Sequence, residues 1–552
     1  MLDTYQLNLA GLLLACGVLV ATRPSTKTKA RTPTANTTST STSTSRSKAK
    51  SESSNNAASE AEAERPSSQK SFFLVYALVM ASDWLQGPFL YSLYRDEHAL
   101  PPQLIPALFT TGFLAGALSA PFVGALADAH GRRAACLVFC VASAASSLLT
   151  AYPGAAPAAD ARAPRPRVAL LFAGRALGGL ATSLLFSVFE TWMVADATRQ
   201  RRGRRGGETG QSVAGGGDLS ATFGLMSTVN SVVAIVSGLA SEWLVGLVGT
   251  SRAPFGASAL LVGAAAVCML VAWDENYGAT GTSSESDAKK QETTSTTVSL
   301  WNTLTTPGML ALTVASTAFE GSMYLFVVLW APVLEPVAAS SSSSPEPLPY
   351  GLIFASFMSA TLLSSLAYPR LTAHLSPPTL LALLLATASL LLHALASRPA
   401  GPQPAFWLFC AFEAVVGAYF PAQATLKNAL VPDAVRARAY AALRVPLNVF
   451  VVLSLQLMGE GSADAAGRVF AVCALLLQVG AAGVGQCPLG DAADVSLDDG
   501  PAKRATGDIA SHPRPLSSGL SSPRHRRRDS RDGITMFDPD QGGLTAPAAP
   551  FV

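Results

Sequence analysis

Six ionisable side chains interrupt long apolar stretches of the sequence. They are Asp83, Arg175, Glu190, Glu320, Glu413 and Arg444. An ionised side chain at the centre of a bilayer costs about 2.5 to 3.5 kcal/mol on insertion scales, so such residues normally face a bundle interior or a water-filled cavity. There, a guanidinium can bind an oxyanion and a carboxyl group can carry a proton. These residue types therefore indicate a central passage for a polar or charged solute.

The elements that must position these charges are apolar helices. The chain has 552 residues, of which 49% are hydrophobic and 14% are charged, whereas soluble domains carry about 25% charged residues. Apolar runs of about 18 residues or more, long enough to cross about 30 Å of hydrocarbon, recur along most of the chain. The composition therefore predicts an all-α, polytopic membrane protein.

The apolar runs form one isolated segment followed by two groups of six. We predict an N-terminal transmembrane anchor (1–22), a disordered Ser/Thr-rich tether (23–70), an N-terminal six-helix half (71–274), a central cytoplasmic linker (275–306), a C-terminal six-helix half (307–487) and a disordered cytoplasmic tail (488–552). With the tether inside the cell, alternate loops place about thirty of the 39 Lys and Arg residues on the cytoplasmic side.

The membrane charges recur at related positions in the two halves. Asp83 and Glu320 lie on the first helix of each half, and Glu190 and Glu413 lie on the fourth. Three similar sequence segments, SVFETW, TAFEGS and CAFEAV, contain Glu190, Glu320 and Glu413. Such echoes fit nested three-helix repeats, in which equivalent helices line one path. Asp83, Glu320 and Glu413 are proton-coupling candidates, and Glu190 is a candidate cytoplasmic gate residue.

The loop GALADAHGRR joins the second and third helices of the first half. Gly131 permits a tight turn, and Asp128 ends the second helix. Arg132 and Arg133 anchor the inner interface and offer ionic partners to Asp128 and to helix ends. We interpret these four residues as a gating element that never touches substrate.

Other functions have little support in the sequence. The seven cysteines lie almost all in or beside apolar spans and include no CxxC pair, so we expect no metal site and no cofactor. There is no GxxxxGK[ST] loop and no HExxH motif, so an enzyme is not expected. The basic cluster RHRRRDSR in the tail favours the cytoplasmic membrane surface over nucleic acid, and membrane lipid is the expected contact.

Several motifs carry a family resemblance. GALADAHGRR and GRALGG resemble signatures of the major facilitator superfamily, whose fold has two six-helix halves. DWLQGPFLYSLY, WDENY, VVLWAPVL, GLIFASFM, GAYFPA and RVPLN together resemble the molybdate-anion transporter branch, in order from about residue 71 to 485. The short N-terminal anchor belongs to the same pattern.

The resemblance implies uptake of molybdate, a tetrahedral dianion, by a monomeric multi-pass protein of the plasma membrane. Arg175 and Arg444 could offset its two negative charges and donate bidentate hydrogen bonds. We therefore expect alternating access, with these two arginines binding substrate and a membrane carboxyl group carrying a coupled proton. A carrier for an organic solute such as a sugar, and a non-transporting sensor or scaffold, remain as alternatives.

Overall fold

The structure is a bundle of membrane-length helices. The computed structural model describes residues 4–22, 67–152, 165–205, 216–277, 300–341, 348–397, 399, 401–431, 436–457 and 463–486, and no strand occurs among them. The helices are α1 (Thr4–Ala21), α2 (Ser67–Gln86), α3 (Leu104–His130), α4 (Arg132–Ala151), α5 (Arg165–Arg205), α6 (Gly216–Val248), α7 (Ala253–Ala272), α8 (Pro307–Ser341), α9 (Tyr350–Leu371), α10 (Pro377–Ala396), α11 (Pro402–Leu430), α12 (Arg436–Leu457) and α13 (Ala463–Gln486). A short helix, Leu300–Leu304, precedes α8.

Twelve of these helices are long and apolar enough to span a membrane within the described part of the chain. In the remaining one, α12, the apolar stretch Ala442–Gln456 is shorter. Large apolar side chains cover the outside of the bundle, and Leu260 and Val271 are 77% and 83% exposed. Asp83, Arg175 and Glu413 are buried inside it. Apolar residues outside and charges inside are the arrangement expected of a multi-pass membrane protein.

The two halves, α2–α7 and α8–α13, repeat one packing scheme. In the first half, α3 and α4 pack on α5, while α2 and α4 pack on α7. The equivalent helices of the second half make the equivalent pairs: α9 and α10 pack on α11, while α8 and α10 pack on α13. The halves meet where α6 contacts α9 and where α12 contacts α3. The pseudo-twofold rotation that relates the two halves turns the α6–α9 contact into the α12–α3 contact, as the predicted repeats require.

Helix α2 changes its winding where the sequence carries Gly87 and Pro88. Residues Gly87–Phe89 form a 3₁₀ turn, and Leu93–Glu97 form a wider π-helical turn. Proline removes a backbone donor and clashes with the preceding turn, so an α-helix cannot continue unchanged through it. The change of winding lies one turn beyond Asp83 and directs the end of α2 toward the second half, where it packs against α9.

Two ends of the bundle can be told apart by their loops. We call the end with Gly131 the inner end and the end with Glu97 the outer end. The first half touches the second at the outer end, where Arg95 pairs with Glu335 and where Glu242 accepts a 2.7 Å hydrogen bond from the Gly351 amide. Gly238 and Gly351 also pack closely there, with no room for a side chain on either. We call these contacts the outer seam.

The anchor helix α1 packs on the second half, although it precedes the first half in sequence. It runs along α9 from the outer end to the inner end. Asn8 donates a 2.9 Å hydrogen bond to Gln403, and the ring of Tyr5 meets that of Phe406 edge-on. At the inner end, Arg370 donates to the hydroxyl of Thr22 at 2.8 Å. The anchor is therefore an added helix of the second half.

The boundaries differ from the sequence predictions at a few places. Helix α5 continues to Arg205, so the basic run from Arg199 is helical and not a loop. Helix α2 begins at Ser67, inside the predicted tether, because nothing between Ser67 and Ser71 breaks a helix. Most of the tether, most of the central linker and the tail lie outside the described residues.

Candidate functional site

Asp83 on α2 and Arg175 on α5 are two ionisable residues buried in the first half. Asp83 is 7% exposed and Arg175 is 3% exposed, and their charges interact. They form no ion pair within 4.0 Å, and the Nε and Nη2 atoms of Arg175 and the Oδ2 atom of Asp83 have no hydrogen-bond partner. Buried polar atoms normally have partners, so these atoms are available to hydrogen-bond a polar ligand.

Aromatic and small residues surround the guanidinium of Arg175. Its Cζ atom lies 5.3 Å from the ring centre of Phe109, which is cation–π distance. The Tyr94 hydroxyl, also without a hydrogen-bond partner, lies close enough to interact with its charge. A methyl group on Gly112 would come within 2.8 Å of Nη2. The glycine therefore makes room for the arginine head group.

A second charged cluster lies in the other half, around Glu320 on α8. Its Oε1 atom accepts hydrogen bonds from the Ser316 hydroxyl at 2.8 Å and from the Gln423 amide at 2.9 Å. The Lys427 ammonium lies 3.6 Å from the same oxygen. Glu320 is therefore a well-partnered carboxylate beside a lysine that the sequence analysis did not select.

Arg444 belongs to the same cluster. It lies on α12, is exposed, and is close enough to Tyr324 and Lys427 for its charge to act on both. Tyr324 in turn meets Phe113 of the first half edge-on, with ring centres 5.2 Å apart. Phe113 follows Gly112, which touches Arg175. The two predicted substrate arginines therefore lie in different halves, Arg175 beside the helix of Phe113 and Arg444 near Tyr324.

The other two predicted carboxylates lie apart from these clusters. Glu413 on α11 is buried and accepts a 2.8 Å hydrogen bond from Thr361 on α9. Glu190 lies near the inner end of α5, partly buried, where its charge acts on Tyr76 of α2. Glu413 thus joins two helices of the second half, and Glu190 faces a neighbour in its own half.

The predicted gating loop is held together by ion pairs and helix capping. Arg132 pairs with Asp128 at 2.8 Å, and Gly131 adopts a φ of 108°. Glu275, which follows α7, accepts hydrogen bonds from the amides of Arg133 at 2.7 Å and of Ala134 at 3.0 Å. A carboxylate at these amides satisfies the free donors of a helix start. Every contact in this set lies within the first half.

The sequence analysis missed Lys427, Gln423 and Glu275 as site residues. Lys427 stands at the edge of an apolar span, where lysine usually reaches the interface. Its spacing of four from Gln423 was the available signal, because residues four apart share a helix face. Glu275 lies in the WDENY motif, but nothing in the chain order indicates that it caps α4.

Comparison with known proteins places this chain in a family. The sequence profile of a family described as sugar transporters with 12 transmembrane segments matches residues 46–402. The molybdate-anion transporter of Xenopus laevis is 30% identical over 430 residues, covering 74% of this chain and 83% of the relative. The chain belongs to the molybdate-anion transporter family of the major facilitator superfamily. The molybdate-anion transporter of Takifugu rubripes is also 30% identical, over 448 residues, covering 74% of this chain and 85% of the relative.

A solved structure shows the same fold outside this branch. The peptide transporter POT in complex with alafosfalin superimposes with a TM-score of 0.60 at 16% identity, covering 77% of this chain and 96% of that one. The match to the profile described as sugar transporters, residues 46–402, includes Asp83, Arg175 and Glu320. Glu413, Lys427 and Arg444 lie beyond it, in the second half.

Proposed function

We propose that this protein takes up molybdate across the plasma membrane by alternating access, acting as a monomer embedded in lipid. The observation that carries the proposal is the buried guanidinium of Arg175, which has two nitrogen atoms without hydrogen-bond partners. Relatives named molybdate-anion transporters, similar over most of their length, support the choice of substrate.

Arginine suits this substrate for a geometric reason. Its planar head group donates parallel hydrogen bonds to two oxygens of an oxyanion, and such charge-assisted bonds are about twice as strong as neutral ones. A tetrahedral dianion at Arg175 would accept from the unpartnered Nε and Nη2 atoms. Binding there would satisfy donors that otherwise stay buried without partners.

A single arginine balances only half of the charge of a dianion. Arg444 of the second half supplies the other positive charge in this proposal. The Phe113–Tyr324 contact joins the two halves, with Arg175 beside the helix of Phe113 and Arg444 near Tyr324. An anion that engages both would draw the halves together around it, which is how substrate binding drives a carrier between its two open states.

Asp83 is the proposed site of the coupled proton. Its carboxyl group lies near Arg175 and, when ionised, competes with the anion for the guanidinium. Protonation removes that competing charge, so uptake should be faster when the external solution is more acidic. Glu413 and Glu320 are the other proton-coupling candidates, but both already accept hydrogen bonds from neutral side chains.

The outer seam and the inner loop fit the two ends of an alternating-access cycle. Contacts between the halves close the outer end in this structure. Asp128, Gly131, Arg132 and Arg133 build a rigid loop at the inner end, and Glu190 lies on the adjoining helix. We propose that these five residues act in gating.

Molybdate uptake, measured by mass spectrometry in cells with and without the protein, tests the proposal. Uptake should exceed the background and should increase when the external pH is lowered from 7.5 to 6. Tungstate and sulfate should compete better than a panel of sugars. Competition by sugars alone would instead identify an organic-solute carrier. If deleting the tail beyond Asp491 abolished the cellular phenotype of the protein while uptake persisted, the protein would be a sensor.

A further inference from the structure

Three helices of the second half bring pairs of polar residues to one place. The pairs are Glu320 and Tyr324 on α8, Gln423 and Lys427 on α11, and Tyr440 and Arg444 on α12. Each pair is four residues apart, so both members lie on one helix face. Nothing in the sequence motifs assigns a role to Lys427. We propose that Lys427 is a third cation of the oxyanion site, and that Glu320 is the carboxylate that Lys427 faces when no substrate is bound.

The hydrogen bonds of Glu320 leave Lys427 free to bind another anion. Ser316 and Gln423 donate to Oε1 of Glu320 at 2.8 and 2.9 Å. The Lys427 ammonium is 3.6 Å away, which is close enough for ionic attraction and too long for a good hydrogen bond. Lys427 can therefore turn toward a substrate without leaving Glu320 unsatisfied.

The charges of the cluster do not balance. Lys427 and Arg444 carry two positive charges, and Glu320 carries one negative charge. No other carboxylate pairs with Lys427 or Arg444 among the described residues. Because Arg444 is exposed, the excess positive charge of the cluster is accessible to an anion. The inference rests on the proposed function, which supplies that anion as an oxyanion of charge −2.

The surroundings of Lys427 fit a movable head group. Its ammonium lies 5.8 Å from the ring centre of Tyr440, a distance at which an aromatic ring attracts a cation. The Lys427 and Glu320 side chains are 18% and 15% exposed, so they are neither sealed in the core nor free in solvent. A lysine head group has three donors on a flexible stem and can follow an anion between two positions.

The competing interpretation is a purely structural ion pair. In that case Lys427 would serve only to neutralise Glu320, and removing both charges together would be harmless. If Lys427 instead contacts substrate, removing it would weaken substrate binding whether or not Glu320 is present. The double variant Glu320→Gln/Lys427→Gln separates the two, because it leaves no unpaired buried carboxylate and so avoids the folding defect that Lys427→Gln alone could cause.

The experiment compares molybdate uptake kinetics of the full chain in cells, normalised to surface expression. Lys427→Gln and the double variant should each raise KM about tenfold to a hundredfold, the loss expected for one hydrogen bond to a charged group, with little change in maximal rate. Lys427→Arg should retain most of the affinity. Glu320→Gln should lower KM, because it removes a charge that repels the anion. Lys70→Gln, at an exposed lysine of α2, is the matched control and should equal the unmodified chain.

Two results would overturn the inference. One is a double variant with the KM of the unmodified chain, which would make Lys427 a partner of Glu320 only. The other is a Glu320→Gln variant whose KM rises as much as that of Lys427→Gln. Failure of the unmodified chain to take up molybdate would count against the proposed function itself, so uptake by the unmodified chain is measured first.

Discussion

The surroundings of Arg175 illustrate what one membrane arginine requires. The guanidinium is buried in a helix bundle, packs near Phe109 and depends on Gly112 for space. The sequence predicted that Arg175 and Asp83 face inward, because an ionised residue in lipid is too costly. Arg175 and Asp83 are indeed interior and close to each other. The missing side chain on Gly112 could not be linked to Arg175 from the sequence, because the two residues are on different helices.

Replacing Arg175 with Gln should abolish molybdate uptake. Glutamine removes the positive charge and the paired donors while keeping a polar side chain of similar reach. Surface expression should remain normal, since Arg175 forms no ion pair that folding depends on. The measurement is uptake per surface-expressed protein, with Arg199→Gln, at an exposed residue paired with Asp274, as the control. Unaltered transport would remove Arg175 from the site.

His98, beyond the end of α2, gives the folded protein a sensitivity to acid. Arg167 can only donate, so Nδ1 of His98 accepts from it and Nε2–H donates to the Thr150 carbonyl at 2.7 Å. Burial, together with the positive charges of Arg167 and Arg252, lowers the pKa of His98, and the hydrogen bond to Thr150 and the charge of Glu97 only partly oppose this. The unfolded chain therefore binds a proton there more readily than the folded chain.

The stability of the folded protein should accordingly fall as the pH drops below about 6.5, the ordinary pKa of histidine, and should not depend on His98 above it. Thermal unfolding of purified protein at pH 7.5 and pH 5.5 measures this. The His98→Gln variant should lose part of the difference between the two midpoints. Equal differences in the two proteins would show that His98 is not responsible.

At the scale of the helices, the sequence predicted nearly every span, because long apolar runs and prolines mark them directly. It did not predict where α5 would stop, since arginines continue a helix as readily as they begin a loop. Nor did it predict that α1 packs on α9, because the packing partner of an apolar helix is not encoded in its own residues. The altered winding of α2 begins at Gly87 and Pro88, where proline removes a backbone donor.

The turn at Gly131 should tolerate no side chain. Its φ of 108° disfavours every other residue, and a methyl group there would come within 2.6 Å of the Glu275 carboxyl group. Gly131→Ala should lower the free energy of unfolding by about 1 kcal/mol or more. Gly124→Ala is the matched control, since Gly124 lies in α3 with open space around it. Equal thermal midpoints for the two variants would contradict the prediction.

The anchor α1 should depend on its polar contacts more than on its apolar face. Lipid tails are as apolar as leucine, so moving an apolar side chain from lipid into a helix contact gains little hydrophobic free energy, and hydrogen bonds between helices are worth about 1 kcal/mol. Asn8→Ala removes the bond to Gln403 and should lower the unfolding midpoint in detergent. Leu14→Ala, at a residue 71% exposed, should leave it unchanged. A loss in Leu14→Ala as large as that in Asn8→Ala would show that the bond to Gln403 is not what stabilises α1.

At the scale of the whole molecule, the repeated phrases in the sequence predicted two equivalent halves, and the packing pairs repeat accordingly. The outer seam was not predicted. Arg95, Glu335 and Glu242 stand near helix ends, where charges are usually solvated and uninformative. Which end of a carrier is closed depends on a small free-energy difference between two arrangements of the same helices, and local patterns do not report it.

Breaking the ion pair of the outer seam should favour opening at the outer end. Arg95 and Glu335 join opposite halves, and their side chains are 39% and 14% exposed. Because partly exposed pairs are worth about 1 kcal/mol or less, Glu335→Ala should raise the outer-open population up to about fivefold. Labelling of a Ser92→Cys variant by an impermeant maleimide, in a cysteine-free background, measures this.

The control for that measurement is Arg252→Ala. It breaks an ion pair with Glu97 inside the first half, at the same end of the bundle, and should not change the labelling rate. If both substitutions accelerate labelling equally, local loosening and not separation of the halves is the cause.

The placement of α1 also determines how the amino terminus moves. Because hydrogen bonds hold α1 to α11 at its outer end and to α9 at its inner end, it should move together with the second half. A fluorophore fused before Thr4 and a second one attached near Tyr152 would therefore sit on different moving bodies, and energy transfer between them would follow each transport cycle directly.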